Sequence, residues 1–506
     1  MDFDPVAYIN TPRWQESRLG LDRIRELLER LGRPQDGLRF VHVAGTNGKG
    51  SACAYLASIL QAAGYRTGLF TSPYIERFEE RIQVDGASIG GGELCAATLR
   101  VREQAEAMAR ESGDHPTEFE LMTAVALVHF ARCGCGIVVL EVGLGGRLDS
   151  TNIIDAPEAC VIARIGLDHT ALLGNTLAAI AGEKAGIIKD GSPVVSWPQE
   201  PEAMAVVEAA AARHGCELRV ADFSQLEEGS VQWGCRGAAA GGAGGAGEVE
   251  GAEGRSGIGS AGDGGSANGT GRVHGVEGAG GREAAAASAA GADERAGSAF
   301  RPFSYKGFRD LRTAILGSYQ PQNAALALEA VGALRVRGWD IPDDAVRAGM
   351  AATRWPGRFE IVEGGASPEG FAVVVDGGHN PQGARALADS LAEVFPGRKP
   401  VFIIGVLEDK AYPEMLEAVL PLGSAFVCVT PDNPRALPAS KLARAIRWTG
   451  QDMLGCSACV NPHVARDFQD AVSRARQLAG PDGLICAFGS LYSVGALKEA
   501  IRATVR

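Results

Sequence analysis

Val41-His-Val-Ala-Gly-Thr-Asn-Gly-Lys-Gly-Ser51 is the stretch that decides the fold. An apolar, β-branched run passes into a glycine-rich turn, and a helical segment begins at Lys49. Glycines at 45, 48 and 50 permit tight curvature and close approach of a ligand. Backbone N–H groups at the helix start then point at an anion. Lys49 adds a positive charge for β- and γ-phosphates, and the Ser51 hydroxyl reaches toward Mg²⁺. The strict phosphate-loop pattern asks for Gly where Val43 stands, so the loop here is the shorter G-T-N-G-K-G-S. The strand–loop–helix context favours a phosphate site over an ordinary turn.

The same alternation extends outward. Strand-like runs at 38–44, 67–72, 137–142, 159–165 and 193–197 are interleaved with helical stretches at 49–63, 118–132 and 202–214. Near-continuous apolar strands separated by helices indicate a parallel sheet covered on both faces. Helices at 323–334 and 343–352 follow, then Trp355-Pro-Gly357 punctuates the chain. Strands at 371–376, 401–406, 425–430 and 484–488 alternate with further helices beyond it. The expected fold is therefore α/β. An N-terminal phosphate-loop mononucleotide-binding domain with a parallel sheet spans 1–355. A smaller, Rossmann-like α/β domain spans 356–506. The stretch 237–297 holds about a third of the 68 glycines in about an eighth of the length. It has almost no large apolar residues and is expected to be a disordered insertion.

Composition excludes several classes. The chain has 506 residues, 46% hydrophobic and 22% charged, in the range of globular proteins. No run of about 18 apolar residues suggests a membrane span. The acidic start MDFDPVAYINTPRW has no signal-peptide h-region, so a cytoplasmic location is expected. The net charge of −12 argues against a nucleic-acid binder. Eleven cysteines, an odd number, read as free thiols in a reducing compartment. Cys456-x-x-Cys459 lacks the second pair that zinc would need and is read as a chance pair.

Further motifs stand in order along the chain. They are Thr71-Ser-Pro-Tyr with Glu80-Arg-Ile, Thr117-Glu-Phe-Glu-Leu-Met-Thr, and Leu140-Glu-Val-Gly-Leu-Gly-Gly-Arg-Leu-Asp-Ser-Thr-Asn152. Then come Ile165-Gly-Leu-Asp-His169, Ile180-Ala-Gly-Glu-Lys-Ala-Gly, Gly317-Ser-Tyr-Gln-Pro-Gln-Asn323, Arg354-Trp-Pro-Gly-Arg358 and Val375-Asp-Gly-Gly-His-Asn380. With the phosphate loop, this series resembles the folylpolyglutamate synthase/dihydrofolate synthase family, within the wider group of Mur-type amide ligases. The resemblance runs from about residue 10 to the C-terminus, and only the insertion falls outside it.

The resemblance implies roles residue by residue. Asn47, Gly48, Lys49, Gly50 and Ser51 would bind ATP, together with Asn323, Arg358 and Asp376. Ser72, Glu141 and His169 would hold Mg²⁺. Lys184 is carbamylated in the family, which turns a cation into an anionic partner of the metal site. Lys49, Lys184 and His379 form the expected catalytic set. Thr117, Glu118, Phe119, Glu120, Asp149 and Asn152 would contact the acceptor. Phe119 has two readings: an aromatic face for a pterin ring, or core at a helix start. Tyr319 departs from the family's usual residues before Gln320.

The implied reaction is ATP-driven amide formation through an acyl phosphate, with L-glutamate as the amine. Dihydropteroate and reduced folate are both possible acceptors, and a dedicated folylpolyglutamate synthase is the alternative to a bifunctional enzyme. A monomer is implied, with small-molecule partners only and no nucleic acid or membrane. Three rivals remain. A cell-wall Mur ligase commonly carries an extra N-terminal domain, for which about 45 residues before the loop leave no room. A plain phosphate-loop ATPase or kinase would lack the Asp376–His379 match. A non-catalytic nucleotide binder would not need Lys49, Glu141, His169 and Lys184 together.

Overall fold

The structure is a computed structural model that describes residues 3–11, 18, 20–233, 299–365, 367–453, 455 and 461–504. The stretch 237–297, expected to be disordered, and the pair Cys456/Cys459 lie outside the described residues. The eight described cysteines are free thiols.

The phosphate loop leaves the centre of an eight-stranded sheet. Thr67–Phe70, Ile137–Glu141, Phe40–Ala44, Ala159–Ile162, Val194–Ser196 and Leu218–Val220 lie side by side in that order, all parallel. Strand alternation sorts the side chains. Val41 and Val43 join Val139 and Val161 on one face, under the helices Lys49–Ala62, Gln320–Val336 and Asp343–Ala352. Phe40, Phe70 and Leu140 join the opposite core, under Gly91–Ser112 and Glu118–Cys133. Burial on both faces explains why these strands read as unbroken apolar runs.

The second sheet has six strands. Ala372–Val375, Leu484–Phe488, Val401–Ile404, Ala425–Cys428 and His463–Val464 are parallel neighbours in that order, with Glu360–Gly364 antiparallel at one edge. The molecule is thus two α/β domains with parallel-rich sheets. In each, the carboxyl ends of the strands carry the loops discussed below, the place where open α/β sheets bind ligands.

Several elements go beyond the sequence reading. Gly91–Ser112 is a 22-residue helix. Its buried positions are Leu94, Ala97, Thr98, Val101, Ala105 and Met108, at helical spacing. Alanine and threonine supply half of that stripe, so the apolar periodicity is faint in the sequence. Ile82–Val84 and Ala87–Ser88 add an antiparallel edge to the large sheet. The short helices Pro5–Ile9 and Asp22–Arg30 precede it, and Val494–Thr504 closes the chain. A third, antiparallel sheet joins Leu226–Glu228, Arg301–Tyr305 and Phe308–Thr313. Its partners are separated by the glycine-rich stretch, which hides the pairing from local pattern.

Candidate active site

The phosphate loop is built by backbone geometry. Gly48, just before the helix Lys49–Ala62, has φ of +86°, a conformation that favours glycine. A Cβ there would also run into the Asn323 side chain, so glycine lets the helix Gln320–Val336 close on the loop. Nothing precedes Lys49 to consume the first N–H groups of its helix, because Gly48 offers no side-chain cap. Lys49 Nζ donates to the Gly45 carbonyl at 3.0 Å. Ser51 is buried, and its Oγ accepts from Gln320 Nε2 at 3.2 Å. Asn47 is engaged from the second domain. Its Nδ2 donates to Gln382 Oε1 at 2.6 Å, and its Oδ1 accepts from Asn380 Nδ2 at 3.0 Å.

Glu141 ends the strand beside the loop and is 4% exposed. Its Oε2 accepts from the Ser72 backbone N–H at 3.1 Å. Burial pushes its pKa up, and the Lys49 charge and the Ser72 bond oppose that. A carboxylate so buried with no cation bonded to it suits a metal ion. His169 sits in a left-handed conformation, φ +50°, after the next strand of the sheet. Among the described residues, no three His, Cys, Asp or Glu side chains come together as a metal cage. Mg²⁺ keeps waters and substrate oxygens and takes few protein ligands. One carboxylate, one hydroxyl (Ser72) and one imidazole are the donors available.

Lys184 is 4% exposed near the end of the helix Leu177–Ala185. Its Nζ donates to the Gly45 carbonyl at 2.9 Å, the same oxygen that Lys49 uses. Burial, then the nearby Lys49 charge, push its pKa down to about 7. A substantial neutral fraction therefore exists at neutral pH.

The second domain supplies the opposite wall. Asp376 is buried, and its Oδ2 accepts from the Phe359 N–H at 2.8 Å and from the Tyr319 hydroxyl at 3.2 Å. Arg358 stands beside it, so close to Gly377 that a Cβ added there would come within 2.6 Å of its Nη1. Tyr319, the departure from the family pattern, thus spans the two domains. His379 Nδ1 lies 3.0 Å from the Gly377 carbonyl, and its Nε2 faces Asp168 at 3.8 Å. Lys410 Nζ binds Asp168 Oδ1 at 2.8 Å. Burial alone would raise the Asp168 pKa, but His379 and Lys410 outweigh it and hold the carboxylate far below its usual range.

At the far end of the cleft, Thr117 caps the helix Glu118–Cys133. Glu120 Oε2 accepts from the Thr117 N–H at 2.8 Å and from Arg23 Nε at 3.1 Å. This capping box fixes the helix start and leaves Phe119 against Gly143, where any Cβ would overlap its ring. Phe119 also packs at 6.0 Å from the Phe70 ring, so it is partly core while facing the cleft. Asp149 accepts from the N–H groups of Thr151, at 3.0 Å, and Leu144, at 2.8 Å.

One cleft of about 890 Å³ joins these groups. Asn47, Gly48, Lys49, Gly50, Ser51, Ser72, Glu141, His169, Lys184, Asn323, Arg358, Asp376 and His379 line it together with Thr117, Glu118, Phe119, Glu120 and Asp149. Asn152 does not. Its Nδ2 ties the Arg147 and Gly186 carbonyls at 3.0 Å each, behind the cleft wall.

Residues 357–491 match the family model described as Mur ligase, glutamate ligase domain. The chain is 33% identical over 509 residues to the dihydrofolate synthase/folylpolyglutamate synthase of Bacillus subtilis (strain 168), covering 98% of this chain and 100% of the relative. The chain belongs to the dihydrofolate synthase/folylpolyglutamate synthase family. Solved structures agree. Mycobacterium tuberculosis folylpolyglutamate synthase complexed with ADP and AMPPCP superposes with a TM-score of 0.75 at 29% identity, covering 99% of each chain. An FPGS–AMPPCP–folate complex gives 0.71 at 30% identity, covering 99% of this chain and 98% of the other.

Four residues of this synthase-family site escaped the sequence reading as site residues. Asp168 stood inside a quoted motif, next to His169, without a role. Lys410 and Gln382 reach the cleft or its loop from the second domain, and only the folded chain shows what they face. Arg81 also stood in a quoted motif. It is 9% exposed, its Nε has no hydrogen-bond partner, and it lies over the Tyr74 ring at 5.0 Å. No helix of the described residues is long and apolar enough to cross a membrane.

Proposed function

We propose that this chain joins L-glutamate both to dihydropteroate and to the γ-carboxylate of a reduced folate, spending ATP through an acyl phosphate. ATP-dependent ligation of glutamate to a folate follows from family membership. The finer reading rests on one observation: a single cleft joins the phosphate loop, the buried Glu141 and the Thr117–Glu120 end, with the second domain as its opposite wall.

Lys49 and the N–H groups of its helix start bind the β- and γ-phosphates. Ser72, Glu141 and His169 would hold Mg²⁺, which when bound would supply charge neutralisation at the polyphosphate. Asn323, Arg358 and Asp376 place the nucleoside, so that the γ-phosphorus meets the acceptor carboxylate at the cleft centre. Transfer gives an acyl phosphate and ADP. The glutamate amine attacks the acyl carbon, the tetrahedral intermediate collapses, and phosphate leaves. His379, held toward Asp168, is placed to take the proton released by the amine. Lys184 adds CO₂ to its neutral amine, giving a carbamate and a proton. Arg81, a buried cation at the cleft, suits an anionic substrate group. Thr117, Glu118, Phe119, Glu120 and Asp149 shape the acceptor end, while Asn152 supports it from behind. The working boundary is 1–355 and 356–506, supported by the two separate sheets. A monomeric, cytoplasmic enzyme with small-molecule partners is the reading that the family resemblance supports.

The test is phosphate release with Mg-ATP and L-glutamate, with dihydropteroate and tetrahydrofolate supplied separately. Glutamate-dependent turnover with both acceptors is expected. Turnover with tetrahydrofolate alone would make the chain a dedicated polyglutamate synthase and overturn the bifunctional reading.

A further inference from the structure

His42 is an unexpected residue for its position. It stands in Phe40–Ala44, between strands on both sides, in register with Leu140 and Cys160. Its neighbours in the strand are Val41 and Val43, and an apolar residue would satisfy the core. Instead the imidazole is fully buried, with 0% exposure. Burial, then the charge of Lys189, push its pKa down to about 3, so it is neutral throughout the working range.

A neutral imidazole carries one N–H, and its neighbours decide which nitrogen holds it. His42 Nε2 lies 2.9 Å from Thr151 Oγ1. Thr151 Oγ1 lies 2.5 Å from Asp149 Oδ1. A hydroxyl has one hydrogen, and Thr151 donates it to the carboxylate. Thr151 Oγ1 therefore accepts from His42, and the proton sits on Nε2. Nδ1 is left with no hydrogen-bond partner. A buried orphaned acceptor is a cost that packing alone does not explain. What the histidine supplies is its one donated hydrogen.

That hydrogen starts a directed chain, Nε2–H to Oγ1–H to Oδ1, from the sheet interior to the cleft wall. Asp149 in turn fixes two segments. Its Oδ2 holds the Leu144 N–H, and its Oδ1 holds the Thr151 N–H. Next to it, the Ser150 and Thr123 hydroxyls lie 2.9 Å apart, and Thr123 donates to the Phe119 carbonyl at 2.8 Å. The loop 143–150 is thus set by this chain, and the adjoining Ser150–Thr123 hydroxyl pair ties the loop to the start of the helix Glu118–Cys133.

We propose that His42 is a positioning residue for the acceptor, acting through Thr151 on Asp149 and the loop that faces Phe119. It touches no substrate. This deepens the proposed function and rests on it, since it assumes that the Asp149 end of the cleft holds the acceptor.

The test is a set of variants of the full chain, assayed for KM of tetrahydrofolate, KM of ATP and kcat, with thermal unfolding measured alongside. His42→Phe removes the donor, and Thr151→Val breaks the next link. Each is expected to raise the acceptor KM about tenfold and leave the ATP KM within twofold. The double variant should be no worse than the poorer single one, since both cut the same chain. His42→Gln, which returns an N–H donor, should recover most of the loss. Equal rises in both KM values, additive effects of the two substitutions, or no rescue by Gln would each overturn the role. If His42→Phe does not fold, Thr151→Val against Thr151→Ser carries the same comparison. Direct titration of the unmodified protein with tetrahydrofolate separates the two failures. No acceptor binding there sinks the functional reading, whereas normal binding with an unmoved KM in the variants sinks only this one.

Discussion

The two ends of the cleft are made differently. The proposed nucleotide end is local: six consecutive residues, Gly45–Gly50, carry the turn, the helix start and the lysine, and no side chain caps the first N–H groups of the helix. The acceptor end is assembled from distant pieces. Thr117–Glu120 comes from one helix start, Asp149 from the loop after another strand, and His42 from the sheet interior. The difference teaches where damage will be concentrated. At the nucleotide end one side chain carries the charge, so its loss is severe and specific. At the acceptor end many weak links share the task, so single losses are graded.

The sharpest way to break the comparison is Lys49→Ala. In the proposed function Lys49 carries the charge for the phosphates. Lys184 shares its Gly45 contact but is 4% exposed, and burial lowers its pKa to about 7, so it is a poor substitute. A fall in kcat of about 10³-fold, roughly 4 kcal/mol, is expected, with the melting temperature nearly unchanged. A variant keeping a tenth of the activity would show that the helix start alone binds the phosphates. By contrast, Phe119→Ala should raise the acceptor KM without touching that of ATP.

Next in size is the pH and CO₂ response of Lys184. Its folded pKa is lowered to about 7 from the ordinary 10.5, with burial the main cause. Below pH 7 the amine is charged in both folded and unfolded chains, and the full penalty of burying it is present. Between 7 and 10.5 the unfolded chain binds more protons than the folded one, so stability of the unmodified protein rises with pH. The same titration supplies the neutral amine for CO₂. Protein stripped of bicarbonate should lose most activity, recover it on adding bicarbonate, and recover further at pH 8 than at pH 6. Carbon-13 NMR with labelled bicarbonate should show one carbamate signal that Lys184→Arg abolishes. Activity indifferent to bicarbonate in the wild-type protein would refute the modification.

A smaller effect is expected where the second domain grips the phosphate loop. Gln382→Ala removes the partner of Asn47 Nδ2 but leaves the Asn380 contact to Oδ1. One neutral hydrogen bond is worth about 1 kcal/mol, so a rise of about fivefold in the ATP KM is expected. Isothermal titration with a non-hydrolysable ATP analogue reads it directly. An unchanged affinity would mean that the amide pair serves only domain contact.

The contrast also explains what the sequence could reveal. The strand–loop–helix around Lys49 and the placement of Glu141 at a strand end were legible, because periodicity and glycine spacing are local signals. The helix Gly91–Ser112 was not, because alanine and threonine fill half of its buried stripe. Asp168 was visible only as a motif letter, since its meaning depends on Lys410 and His379 across the cleft. Asn152 shows the opposite case: it sits in a motif beside Asp149, yet the turn Ser150–Ile153 carries its amide behind the wall. Sequence neighbours share a motif, and only the turn decides which of them faces the ligand.

The smallest effect expected is from removing residues 237–297. The described chain on either side is already joined: Gln232 and Phe300 exchange backbone hydrogen bonds at 2.8 and 2.9 Å. Leu226–Glu228 and Arg301–Tyr305 then pair as antiparallel strands on the same side of that junction. Gln232 and Phe300 therefore close one hairpin, and neither residue lines the cleft. Closing a loop of about 65 residues costs only slightly more than closing a short one, so deletion shortens the closure by about 1–3 kcal/mol. A chain with 237–297 replaced by a short Gly/Ser linker should keep kcat and both KM values within twofold. It should melt at the same temperature or a few degrees higher. Loss of activity with the fold intact would place a functional segment in the stretch. Loss of the fold would mean that the third sheet needs it, even though its hairpin is closed at Gln232 and Phe300.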